Sequence, residues 1–112
     1  MSLDLLKHVG VPVFPAAEVE ERLRGLMAEA VEDDAKFSGE VIPTSLPELY
    51  KWPVQLDSLT VVGMLCELDG VLGFQLKDNT VRSGGYHSIN DAIDHLLPKI
   101  EKLWARNKGL SK

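Results

Sequence analysis

With 112 residues, 45% of them apolar, the chain is long enough for one domain to bury a core without disulfides or metal, and too short for a second. Its formal charge of −5 is unevenly spread: residues 1–56 carry ten acids and five bases, residues 57–112 seven of each. This argues against nucleic acid as a partner, which needs a clustered cationic face, and against a membrane span, which needs an apolar run of about 20 residues.

The opening residues 1–15 contain Gly10, Pro12 and Pro15 and predict an irregular lead-in that ends where Pro15 can open a helix. From Ala16 to about Asp34, Val19, Leu23, Leu26, Met27, Ala30 and Val31 recur at spacings of three and four. Glu and Arg lie between them, so the segment predicts an amphipathic helix. The Glu32-Asp33-Asp34 cluster at its finish opposes the helix dipole and reads most simply as a solvated face. Residues 35–56 form a long connection punctuated by Gly39, Pro43, Pro47 and Pro53. Within it, Ser45 and Glu48 have the Ser-x-x-Glu form of a capping box and predict one or two helical turns through Tyr50.

The segment "LDSLTVVGMLCELDGVLGFQL", residues 56–76, begins with Asp57-Ser58-Leu59. Its apolar set Leu59, Val62, Leu65, Cys66, Leu68 and Leu72 predicts a helix to about Leu72 that ends at Gly73. The β-branched "LTVVGML" also suits a strand, but the pattern outlasts a strand's usual four to eight residues. Leu59 and Val62 are expected to pack the base of this helix, and Cys66 to be buried, as free cysteine commonly is. As the only cysteine it has no intrachain partner, which favours a reducing cytoplasmic setting.

"KDNTVRSGGYH" predicts a loop with a single helical turn near Thr80 and a plain turn at Gly84-Gly85. Ser88 with Asp91 then makes a second capping-box start. Ile89, Ala92, Ile93, Leu96, Ile100, Leu103 and Trp104 give the helix that follows one apolar face. Pro98 falls inside it and is expected to kink or restart it. Lys99, Lys102, Arg106 and Lys108 gather toward its C-terminal end, where cations suit the dipole. The fold class is all-α, a bundle of three main helices plus one or two short ones. One domain spans 16–107, between a lead-in at 1–15 and a tail at 108–112.

Asp57 as N-cap and Ser58 as first helical residue put a hydroxyl beside unsatisfied backbone N–H groups, where an anion attached to that oxygen is favoured. Capping alone also accounts for both residues. In this frame the chain resembles the acyl carrier and peptidyl carrier protein family over roughly residues 56–97, with weaker support from the 16–34 helix. "LDSLTVVGMLCELDGVLGFQL" looks like the family's second helix and its exit, and "SINDAIDHL" like its last helix. The resemblance implies an acyl-carrier-like bundle that is not itself an enzyme. It implies 4′-phosphopantetheine carried covalently on Ser58, with Asp57 and Leu59 flanking the attachment site, and an acyl or aminoacyl group held as a thioester. Partners would be a phosphopantetheinyl transferase and the enzymes that load and unload the arm in fatty acid, polyketide or peptide assembly. Thr60, Glu67 and the "SGGYH" loop would face the arm and those partners.

The chain departs from the family pattern at Gln55, where a glycine usually stands, and at Thr60, Gly63 and Gly70, where acids are common. These departures favour an alternative: an unmodified helical domain acting in protein interaction, or as a homodimer through Trp52 or Trp104. A hydrolase triad through Ser58, His87 or His95 and an Asp lacks the Gly-x-Ser-x-Gly elbow. His8, His87 and His95 lack metal-ligand spacing.

Overall fold

The computed structural model describes residues 13–109. Five α-helices and one 3-10 turn follow in order: α1 Ala16–Ser38, α2 Leu46–Lys51, α3 Ser58–Cys66, α4 Asp69–Leu72, the turn Asp78–Thr80, and α5 Ile89–Asn107. The all-α expectation holds, and among the described residues the only extended pairing is an isolated antiparallel bridge between Leu56 and Tyr86. The calls on residues 1–12 lie outside the described residues, as does the end of the tail at 110–112.

α1 is the scaffold on which the others pack. It presents Val19, Leu23, Met27 and Val31 as a four-residue-spaced stripe, buried against α5 and α3, and each fully covered side chain contributes about 1.5–3 kcal/mol of apolar burial. The helix runs four residues past Asp34, because Gly39 adopts the left-handed conformation (φ 80°) and donates to the Ala35 carbonyl at 2.8 Å. Arg24 ties three helices: it donates to Glu20 at 2.7 Å and to Asn90 of α5 at 2.9 Å, and lies 4.6 Å over the Tyr50 ring of α2. The short α2 forms where Ser45 and Glu48 predict, but the Ser45 side chain makes no cap hydrogen bond.

Three expectations are corrected in the 57–72 segment. It is a helix and not a strand, but it breaks at Glu67-Leu68 into α3 and α4. The inward face of α3 is Val61, Met64 and Leu65, which leaves Leu59 82% exposed. Cys66 is likewise exposed rather than buried. The run is apolar all round, so its composition carries no phase, and packing against α1 selects the face. Gly73 (φ 84°) ends α4 as predicted.

α5 follows its predicted face: Ile89, Ala92, Ile93, Leu96, Ile100 and Trp104 are buried, and Leu103 is half-buried. Trp104 meets Phe14 edge-on, with centroids 5.6 Å apart, so this tryptophan is a core residue and not an exposed dimer contact; Trp52 is half-buried. The helix neither ends nor restarts at Pro98. Pro98 and Asp94 both lie on the exposed face, so the carbonyl deprived of its partner there is open to water. Because no packing rests on the ring, Pro98→Ala is expected to raise stability, by up to about 3 kcal/mol. A higher urea midpoint at unchanged m checks this, and an unchanged or lower midpoint contradicts it.

Candidate functional site

The sequence directs attention to the start of α3. Asp57 is extended (φ −73°, ψ 157°), and its two carboxylate oxygens accept from the Thr60 backbone N–H at 2.9 Å and the Thr60 hydroxyl at 3.1 Å. These bonds, the backbone one foremost, hold its pKa below the ordinary 3.8. The N-cap role expected of Asp57 is therefore present. Ser58 is the first helical residue and is half-buried, so its side chain is not sealed in the bundle. The Ser58 and Leu59 N–H groups lie outside the intrahelical ladder. Leu59 points away from the core; Thr60, Gly63 and Gly70 are exposed. Glu67, also exposed, pairs with Arg22 of α1 at 3.3 Å.

The four residues before the serine form a shoulder pinned from across the chain. Leu56 and Tyr86 exchange backbone hydrogen bonds at 3.0 and 2.9 Å, and Val54 donates to the His87 carbonyl at 2.8 Å. The two segments approach so closely that a Cβ on Gly85 would collide with the Leu56 carbonyl oxygen and come within 3.0 Å of the Asp57 Cα. Gly85 is also left-handed, φ 81°, so a glycine is required there twice over. The "SGGYH" loop is thus a turn, as predicted, and its backbone ties it to the Ser58 shoulder.

Residues that the sequence analysis did not connect with one another hold that loop in turn. Tyr86 is fully buried; its hydroxyl accepts from the Arg82 backbone N–H at 2.9 Å and lies 2.7 Å from His95 Nδ1. The Arg82 guanidinium stacks 4.6 Å over the Tyr86 ring, donates to the Gly85 carbonyl at 3.1 Å and pairs with Asp91 at 2.6 Å. Asp91 also accepts from the His87 N–H at 3.1 Å, and this bond, ahead of the Arg82 contribution, keeps its pKa below the ordinary carboxylate value. Ser88 caps α5 by accepting from the Asp91 N–H at 2.9 Å, as the Ser88/Asp91 motif predicts. The aromatic and the arginine flanking a Gly-Gly turn are the only signal of this network in the sequence.

A cleft of about 600 Å³ opens beside the cap, between the C-terminal half of α1 and the shoulder. Asp34, Glu40, Asp57 and His87 line it together with apolar Ile42 and Val54, and no Lys or Arg does. The surroundings of Ser58 therefore combine the positive end of a helix with a negative field at its flank. Among the described residues, no group of three or more His, Cys, Asp or Glu is arranged to hold a metal ion, and no helix is long and apolar enough to cross a membrane.

Gly84 is left-handed (φ 91°) with open space beside it, so Gly84→Ala is expected to cost about 1–2 kcal/mol of backbone strain alone. Gly85→Ala adds the collision and should lower the melting temperature clearly further; equal losses would contradict the close approach. Asp57→Ala should lower the melting temperature at pH 7 and Asp57→Asn should recover much of the loss. Because the folded pKa is depressed, the stabilisation is present above pH 3.8 and lost as pH falls through the folded value. The gap between wild type and Asp57→Ala should close in acid, and a gap that persists would show that the carboxylate is not the cap.

No family model matches the chain, and no curated protein and no solved structure matches it either.

Proposed function

We propose that the chain is a carrier protein of the acyl-carrier kind, holding an acyl or aminoacyl group as a thioester on a phosphopantetheine arm attached to Ser58. The observation that carries this reading is the position of Ser58. It is a half-buried serine at the first position of a nine-residue helix, immediately after an aspartate that caps the helix. A phosphodiester on that oxygen would lie at the first turn of the helix, where the dipole favours negative charge.

Attachment forms a bond from Ser58 Oγ to the coenzyme A phosphorus that bears the pantetheine arm. The bond from that phosphorus to adenosine 3′,5′-bisphosphate breaks, and the hydroxyl proton passes to a base on the transferase. Asp57 has a different part in this chain. With both carboxylate oxygens committed to Thr60, it fixes the helix start and so the direction of Ser58. The arm supplies a thiol that forms the thioester, and the carrier performs no chemistry of its own. The acidic cleft at Asp34, Glu40 and Asp57 suits a partner that approaches with a basic surface.

Incubation with coenzyme A and a broad-specificity phosphopantetheinyl transferase should add the mass of one phosphopantetheine to the wild-type chain and none to Ser58→Ala. No addition to wild type, or addition to both, would remove the reading.

The alternative, an unmodified interaction module, draws on the exposure of Leu59 at 82%, Phe37 at 94% and Val41 at 86%. It predicts self-association or partner binding indifferent to Ser58→Ala but weakened by Leu59→Ser or Phe37→Ser.

A further inference from the structure

Tyr86 meets two polar partners at the tip of its ring. Its hydroxyl oxygen accepts the Arg82 N–H at 2.9 Å, so its single proton is free for His95 Nδ1, 2.7 Å away. In the tautomer with its proton on Nε2, neutral His95 accepts that proton at Nδ1. If Nδ1 acquires a proton, the nitrogen becomes a donor and the phenol proton loses its acceptor in a buried place. The new cation would also stand near Arg82 of the loop and Lys99 of α5, with Asp91 of α5 as the facing carboxylate. Asp91 is already held by Arg82 and the His87 N–H.

The consequence reaches Ser58 through a short path. Tyr86 is the residue whose backbone exchanges hydrogen bonds with Leu56, two residues before the serine, and Arg82 grips the Gly85 carbonyl next to it. We infer that neutral His95 carries its proton on Nε2 and accepts from Tyr86, and that the two are positioning residues for Ser58: so paired they lock the 82–87 loop and hold the Asp57-Ser58 shoulder in register, and protonation of Nδ1 releases it. This deepens the carrier reading and rests on it, naming a regulation of the same site.

Burial first, then Lys99 and Arg82, hold the His95 pKa below the ordinary 6.5, while Asp91 acts in the other direction. At neutral pH the latch is therefore closed. As pH falls below 6.5 the unfolded chain takes up a proton that the folded chain resists, so stability declines with the pH until the folded value is passed.

The test joins a titration to a modification assay on the full chain. In wild type, the Leu56 and Tyr86 amide resonances should titrate together with the His95 ring, at an apparent pKa below 6.5. In His95→Gln, which keeps an acceptor but has nothing to protonate, the two amides should stay unmoved over the same range. Tyr86→Phe keeps the ring under Arg82 and removes only the hydroxyl. Its kcat/KM for phosphopantetheine transfer at pH 7.5 should fall by roughly tenfold, with the dependence on pH between 5 and 7 flattened relative to wild type, while His95→Gln stays near the wild-type rate. Wild-type amides that ignore the His95 titration, or a Tyr86→Phe chain modified at the wild-type rate with the wild-type pH profile, would overturn the latch. A wild-type chain that accepts no phosphopantetheine at all would overturn the carrier reading, and with it the positioning role, even if the amides titrate.

Discussion

The backbone of Gly85 lies so close to the Leu56 carbonyl that no side chain fits between them, and the rest of the candidate site depends on that approach. It lets Leu56 and Tyr86 exchange hydrogen bonds, which joins the connection leaving α2 to the loop entering α5. Without such a tie, the residues before Ser58 would be the end of a long connection whose entry into α3 is set by its cap alone. With it, the start of α3 is fixed relative to α5, the helix that packs most extensively on α1. A single local contact thus converts the packing of the bundle into a defined position for one hydroxyl.

The electrostatics around that hydroxyl are divided. The first turn of α3 offers backbone N–H groups and the positive end of its dipole, whereas the flanking cleft offers the carboxylates of Asp34, Glu40 and Asp57. An anion bonded to Ser58 Oγ would meet the first, and Ser58 is not among the residues that line the second. The helix itself supplies little charge, since Glu67 is paired with Arg22 and Thr60, Gly63 and Gly70 are uncharged. Negative potential lies on the side formed by α1 and not on the exposed face of α3. A basic partner would then approach from the α1 side of the serine.

How much of this was legible in the sequence depends on how sharply each segment alternates. α1 and α5 interleave apolar and charged residues, so their buried faces follow from spacing, and Val19, Leu23, Met27, Ile93, Leu96 and Ile100 all lie where the period puts them. α3 has nearly no polar residue to mark its outer side. Leu65, Leu68 and Leu72 of its expected set are buried, but Leu59 and Cys66 face outward, and Val61 and Met64 are buried in their place. The caps at Asp57 and Ser88 are local chemistry and were readable; the Ser45 box made no side-chain bond although its pattern is the same. The Gly84-Gly85 turn was readable as a turn, but its contact with Leu56 joins residues 29 positions apart, and no short-range pattern encodes such a contact. The Arg82, Tyr86, Asp91 and His95 network is hidden for the same reason: each member is ordinary alone and acquires a role only when α5 brings His95 beneath Tyr86.

The central claim is that the shoulder carrying Ser58 is structured through its bridge to residue 86. Native-state amide hydrogen exchange at Leu56 and Tyr86 tests it most directly. The account predicts that both amides exchange as slowly as those in the middle of α5, and that they open together. Exchange at the rate of an unprotected loop, while α5 stays protected, would mean that the two segments are not joined and that the bundle does not hold the serine in place.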